Sequence, residues 1–285
     1  MIDLVDTLAR RPVVLDGGLG TLLEAGGNDV TSSLWSARVL RDGPAEVREA
    51  HAAFVDAGAE VVITASYQLG YAGPIPDADV DTLLRRSVSL ARDAGDVAVA
   101  ASVGPIGALR ADGSEYTGAY GLTLAELREA HRRRLHVLAE AGADVLALET
   151  IPSPLEVEAL SLELADLDMP AFVSLSADST GFSVPGSLAT ALQTAASVPS
   201  VVAVGVNCCA PDSVLGALAE APGISLVAYP NTGETWDAAT RTWHGGAAPL
   251  ASAAPSWVAA GARLVGGCCR STPADIAAIA AAVRG

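Results

Sequence analysis

Apolar residues along this chain gather in short unbroken runs, each closed by a polar residue or a glycine. The runs are VVLDGG (13–18), VVITAS (61–66), VAVAASVG (97–104), VLALET (145–150), AFVSLS (171–176), VVAVGVN (201–207), ISLVAYPN (224–231) and RLVGGC (263–268). Apolar and polar residues do not alternate within them, which is the mark of strands covered on both faces, as in parallel sheets. The segments between the runs carry helix signals. Thr123 with Glu126, and Ser153 with Pro154 and Glu156, have the form of a capping box, and Thr272, Pro273 and Asp275 open a last helix with proline at its first position. AGA recurs at 57–59, 141–143 and 260–262, placing Gly58, Gly142 and Gly261 as left-handed helix ends just before a strand. Eight strands in strict alternation with helices predict an α/β fold, a closed (β/α)8 TIM-type barrel rather than an open doubly wound sheet. One domain should span residues 1–285.

Composition narrows the partners. The formal net charge is −16, and all 17 basic residues are arginine. Such a field repels phosphate backbones, so nucleic acid is excluded as an expected partner. No window holds the roughly 18 apolar residues that a membrane span needs, and the start, MIDLVDTLARRP, has no hydrophobic signal core. A cytoplasmic protein without membrane contact is expected; the oligomeric state is open. The four cysteines cluster as Cys208–Cys209 and Cys268–Cys269 rather than scattering as a disulfide framework, which favours metal binding or catalysis.

In a barrel of this type the C-terminal ends of the strands form the active face. Here those ends supply Asp16, Thr64, Ser66, Glu149, Asn207, Cys208, Cys268 and Cys269. Three thiolates around an open fourth position describe a reactive zinc site, and a thiol entering that position would lose its proton at neutral pH. Gly266 and Gly267 allow an unusual backbone that turns both vicinal cysteines toward the ion. The plainer alternative is that these thiols are small buried hydrophobes, the expected role of Cys209. Asp16 and Glu149 together can hold an amino group while the amides of Gly17 and Gly18 meet a carboxylate; either acid can instead cap the next helix. Asn207 joins the substrate-binding set. None of His51, His131, His136 and His244 ends a strand, which counts against a histidine-rich hydrolase site.

The segments DGGLGTLLE, SLWSARVL, ITASYQ, SVGPIGALRADGSEYTGAY, ADVLALETIP, GVNC, AYPNTGETWD and GARLVGGCCRSTPADIAAI span nearly the whole chain. They resemble the homocysteine S-methyltransferase family, in particular its small single-domain branch using S-methylmethionine or S-adenosylmethionine. The resemblance implies a (β/α)8 barrel in which Cys208, Cys268 and Cys269 bind zinc and the homocysteine sulfur is the fourth ligand. It implies also that Asp16 and Glu149 contact the homocysteine amine, and that Gly17 and the segment from Thr64 to Ser66 hold its carboxylate end. The chain is too short for the folate and cobalamin modules of the large methionine synthases, so a direct donor is expected. Gln68 departs from the zinc-proximal tyrosine pattern of the betaine-using branch, which argues against betaine.

The expected reaction is an in-line displacement: a homocysteine thiolate takes the methyl group of a sulfonium donor, forming methionine, and a neutral thioether leaves. Trp35 and Tyr116 can lay ring faces beside the sulfonium, and the loops DGSEYTGAY and YPNTGETWD can form the donor pocket or a lid. Two rival readings remain: a zinc-dependent hydrolase on the same barrel, and a non-catalytic redox or metal-binding protein with a vicinal dithiol. The sequence also leaves open the preferred donor and whether a selenol or another thiol replaces homocysteine.

Overall fold

The computed structural model describes residues 3–28, 35–110, 112–176, 182, 185–237 and 242–285, and gives side chains for all of these except 35–36, 235–237 and 242–243. The eight apolar runs form eight strands: β1 (Val13–Val14), β2 (Val61–Ile63), β3 (Ala98–Val103), β4 (Val145–Ile151), β5 (Ala171–Leu175), β6 (Val201–Asn207), β7 (Leu226–Tyr229) and β8 (Ala262–Val265). They pair in parallel in the order β1-β8-β7-β6-β5-β4-β3-β2. A parallel bridge between Leu15 and Val61 joins the two ends of that order. Hydrogen bonds from Asp16 N to Val61 O (3.0 Å) and from Glu60 N to Val14 O (2.8 Å) complete the seam. Each strand is followed by a helix, from Pro44–Asp56 after β1 to Pro273–Arg284 after β8, so the (β/α)8 barrel expected from the sequence is the fold.

Unbroken burial along β3, β4 and β5 explains why their sequences do not alternate. One face packs inside the barrel, where small residues (Ala98, Ala100, Ala147, Ala203) leave room for Phe172 and Tyr229, whose rings meet edge to face at 6.3 Å. Leu4 and Leu8, on the short helix Leu4–Leu8, join this inner cluster. The other face carries larger aliphatics such as Val99, Val103, Leu146 and Leu148 into the layer beneath the helices. The barrel is thus filled by side chains, and chemistry is confined to its rim.

Local signals played out unevenly. Gly58, Gly142 and Gly261 have φ of +101°, +87° and +108°, as expected of left-handed helix ends. Thr123 with Glu126 and Thr272 with Asp275 form reciprocal capping boxes. Ser153 does not: its side chain caps nothing, because Glu156 turns inward. There Glu156 Oε1 accepts from Ile106 N (2.7 Å) and His131 Nε2 (2.9 Å), and His131 Nδ1 accepts from Arg134 Nε (3.1 Å). Between β7 and its helix lies an antiparallel hairpin that the sequence did not announce, Thr235–Asp237 with Thr242–His244. His244 therefore does end a strand, contrary to expectation, but one outside the barrel, and its own side chain is exposed. Among the described residues no helix is long and apolar enough to cross a membrane.

Candidate metal centre and substrate site

Three strand ends build the thiol cluster. β6 stops at Asn207, and Cys208 adopts φ +50° while its N–H still reaches Tyr229 O at 3.3 Å. After β8 the chain keeps following the end of β7: Gly266 N donates to Ala228 O (3.1 Å), Cys268 N to Pro230 O (2.8 Å), and Cys269 N to Asn231 Oδ1 (3.1 Å). The end of β7 is therefore the template on which ligands from β6 and β8 are aligned. Gly266 and Gly267 contribute differently from the expectation. Neither has a positive φ; both are needed for clearance, since a Cβ at Gly266 would lie 2.7 Å from Leu15 Cβ and one at Gly267 2.4 Å from Ser271 Oγ. The unusual turn comes later, at Arg270, with φ +70°.

The Sγ atoms of Cys208, Cys268 and Cys269 all lie within 4.8 Å of one another, and Cys208 and Cys269 are 3.9 Å apart. A disulfide needs about 2.05 Å, and all four cysteines are free. Thiolates on one tetrahedral zinc, with bonds of about 2.3 Å, would sit roughly 3.8 Å apart, so the cluster fits such an ion. Its electrostatics point the same way. Thiol donors, Cys268 first and then Cys269, hold Cys208 well below the usual thiol range, while Cys268 and Cys269 are pushed well above it. One anion is tolerated; three require a cation. Cys209 lies in the core and its thiol is pushed up to about 12 by burial, consistent with passive packing.

Around the same rim stand two buried carboxylates, Asp16 (1% exposed) and Glu149 (7%). Asp16 Oδ2 accepts from Ile63 N at 2.8 Å. Burial pushes the Asp16 carboxyl well up despite that bond, with the charge of Glu149 adding to the effect. Glu149 is gripped on both oxygens: Ser102 Oγ donates to Oε1, and Tyr229 OH donates to Oε2 at 3.2 Å. Because the Tyr229 proton is spent there, Ser174 Oγ donates in the 2.6 Å bond to Tyr229. Burial still outweighs these donors and brings Glu149 up to about 7. Two desolvated acids facing one rim are a site for a cation.

Other residues expected at this site are spent on bracing it. Ser66 Oγ donates to Ser102 O (2.7 Å), so Thr64 is the donor in the 2.7 Å Thr64–Ser66 bond, and Thr64 Oγ1 accepts from Ser102 N (2.9 Å). No hydroxyl proton is left for a ligand. Asn207 is committed to Thr150: its Oδ1 accepts from Thr150 N and its Nδ2 donates to Thr150 Oγ1, each at 2.8 Å. A second Nδ2 proton is all that remains for a ligand. Gly18 N donates to Ser271 O (3.2 Å) and Oγ (3.1 Å), so of the two glycine amides expected to meet a carboxylate this one is occupied.

The family model of the homocysteine S-methyltransferases matches residues 13–283. The chain belongs to that family. It is 44% identical over 292 residues to homocysteine S-methyltransferase of Escherichia coli (strain K12), covering 94% of each chain. With homocysteine S-methyltransferase 4 of Zea mays it shares 42% over 304 residues, covering 95% of this chain and 89% of that one. Crystal structures of the homocysteine methyltransferase MmuM from Escherichia coli have the same fold. The metallated form matches with a TM-score of 0.87 at 40% identity, covering 98% of this chain and 99% of that one; the apo form matches with 0.77 at 36%, covering 96% of each.

As a member of this family of enzymes, the barrel leaves its loops to complete the site. Tyr116, on the one-turn helix Ser114–Tyr116, brings its hydroxyl to 3.6 Å from Cys208 Sγ. Trp35 opens the helix Trp35–Asp42, and its side chain lies outside the described residues. The loop after β7 is pinned to the loop after β8: Arg270 Nε donates to Glu234 Oε1 at 3.2 Å, and Thr232 N donates to Cys269 O at 3.3 Å. Sequence reasoning missed Ser102, Tyr229 and Asn231. Ser102 and Tyr229 were detectable only as lone polar groups inside apolar runs, and Asn231 only as a residue one step past a strand.

Proposed function

We propose that this protein transfers a methyl group from a sulfonium donor, S-methylmethionine or S-adenosylmethionine, to the thiol of homocysteine, forming methionine, as one cytoplasmic domain with zinc on Cys208, Cys268 and Cys269. What carries the reading is the meeting at one rim of three convergent sulfurs with two buried acids. The family membership and the metallated form of MmuM support it. Zinc, when bound, would lower the pKa of an incoming thiol so that the acceptor is a thiolate at neutral pH.

The chain's own residues then position the substrates. Asp16 and Glu149 take the homocysteine ammonium, whose charge relieves both desolvated carboxylates. The carboxylate of homocysteine lies toward Gly17 and the backbone of 64–66, since the hydroxyls there are spent on Ser102. Asn207 positions Thr150 and its neighbour Cys208 from behind. In the step itself the acceptor sulfur supplies the electron pair of the new S–CH3 bond, the donor's S–CH3 pair stays on the donor sulfur, and a neutral thioether leaves. No proton moves, so no general acid is needed. Charge disappears along the path, and exclusion of water with in-line orientation is the protein's main contribution. Tyr116 lines the sulfonium side, a contact worth on the order of 1 to 2 kcal/mol when desolvated.

Methionine formation from homocysteine with each sulfonium in turn, using zinc-loaded protein, tests this. At least one donor should support catalytic turnover. No methionine from either, with betaine or a folate supporting turnover instead, would contradict it.

A further inference from the structure

Beside Tyr116 stands a carboxylate for which the reaction above has no use. Glu115 sits mid-turn in Ser114–Tyr116, and its Oε2 is buried without a hydrogen-bond partner among the described residues. The turn is held from both sides. On one, a Cβ at Gly107 would lie 2.3 Å from Glu115 N; on the other, a Cβ at Gly118 would lie 2.9 Å from Ser153 Cβ. Within the turn, Ser114 N donates to Asp112 Oδ1 (3.0 Å) and Gly118 N to Ser114 O (2.9 Å). The backbone that carries the carboxylate is thus fixed before any ligand arrives. It lies close enough to the thiol cluster to feel the charge of Cys208, and its neighbour's hydroxyl stands 3.6 Å from Cys208 Sγ. Its own carboxyl is raised by burial first, with the charges of Asp112 and Cys208 adding to it, against backbone amides that lower it.

A buried acceptor oxygen with no donor is costly, and more so amid other negative groups. What such a position suits is a cation that carries N–H groups. A sulfonium centre has none, so the charge of the reacting sulfur does not satisfy Oε2; an ammonium does. The ammonium of homocysteine is already accounted for at Asp16 and Glu149.

We propose that Glu115 binds the α-ammonium of the methyl donor and so selects amino-acid sulfoniums over plain ones. This rests on the sulfonium-donor reading above. The aromatic ring of Tyr116 then faces the sulfonium while the neighbouring carboxylate fixes the far end of the donor, which sets the line of approach to the acceptor sulfur.

The test compares two donors that share the dimethylsulfonium and the carboxylate at the same spacing but differ in the ammonium, S-methylmethionine and 4-(dimethylsulfonio)butanoate, on zinc-loaded wild type, E115Q and E115D. Wild type should prefer S-methylmethionine in kcat/KM. In E115Q the KM for S-methylmethionine should rise about 10- to 100-fold, the loss of one charge-assisted hydrogen bond. The KM for homocysteine should stay within about twofold and the preference between donors should collapse, while E115D, which keeps the charge, should recover part of it. Equal losses for both donors in E115Q, a shift in the homocysteine KM instead, or a wild type indifferent to the ammonium would overturn the assignment. A wild type that methylates homocysteine from neither sulfonium would overturn the donor reading and the assignment with it.

Discussion

Thr150 and Cys208, two of the four non-glycine residues with positive φ among the described residues, at +60° and +50°, stand at the ends of β4 and β6 and are joined by Asn207. Left-handed backbone at such residues costs on the order of 1–3 kcal/mol each and persists where surrounding structure over-determines it. Here the strain aims a thiol at the centre of the rim. Beside it, the two carboxylates give the sharpest test at this scale. Replacing Asp16 or Glu149 by its amide removes a charge from the proposed ammonium site with little change in volume. D16N and E149Q should each raise the KM for homocysteine about 10- to 100-fold, in keeping with loss of a charge-assisted bond, and leave the KM for the sulfonium within about threefold; steady-state kinetics with each substrate varied checks this, and a shift confined to the donor would contradict the placement. The acids and thiols were legible in the sequence because they recur at the ends of apolar runs that a barrel brings to one rim, although each alone could also cap a helix or pack passively. Ser102, Tyr229 and Asn231 were not: a serine or tyrosine within a strand is ordinary packing until the register is known, and Tyr229 pairs with Asn207 only in the folded sheet. Nor could the sequence tell that Thr64 and Ser66 spend their hydroxyl protons on Ser102 and on each other.

At the scale of elements, the strands and most helix ends followed from local pattern, since unbroken apolar runs and capping residues act over a few positions. Failures occurred where a distant partner outbid the local one. Glu156 left its capping role for Ile106 and His131, and Arg134, fully buried, spans from His131 to the carbonyls of Leu69 and Gly104 in the loops after β2 and β3. The hairpin after β7 escaped notice because each arm is only three residues long. The helix Pro44–Asp56 carries a different consequence, His51, which is wholly buried with neither ring nitrogen hydrogen-bonded among the described residues. Burial lowers it from 6.5 to about 4. A histidine whose folded pKa lies below its unfolded one is kept neutral by the fold, so its contribution is complete above pH 6.5 and is lost as pH falls toward 4. The loss amounts to about 3 kcal/mol across that window. Urea unfolding at pH 7 and pH 4.5 should show a smaller drop for H51L than for wild type, by about 2 to 3 kcal/mol; equal drops would mean that His51 is not the group protonated.

Taken as a whole, the molecule places its chemistry by closing a sheet on itself. Closure brings β6, β7 and β8 side by side, so sulfurs 60 residues apart in sequence, Cys208 and Cys268, meet at the end of β7. The barrel was readable from the count and order of runs; the template role of β7 was not, because it consists of backbone and amide contacts to Tyr229, Pro230 and Asn231. A metal joining these strand ends would bind the folded state only, and at a free concentration of 100 times its Kd would add about 2.7 kcal/mol to stability. The most direct measurement is zinc content by elemental analysis together with the rate of homocysteine methylation, in wild type and in C208A, C268A and C269A. One zinc per chain in wild type is predicted, with zinc and activity falling together by at least about 100-fold in affinity and rate in each variant; full activity in any of the three after complete chelation would contradict the account.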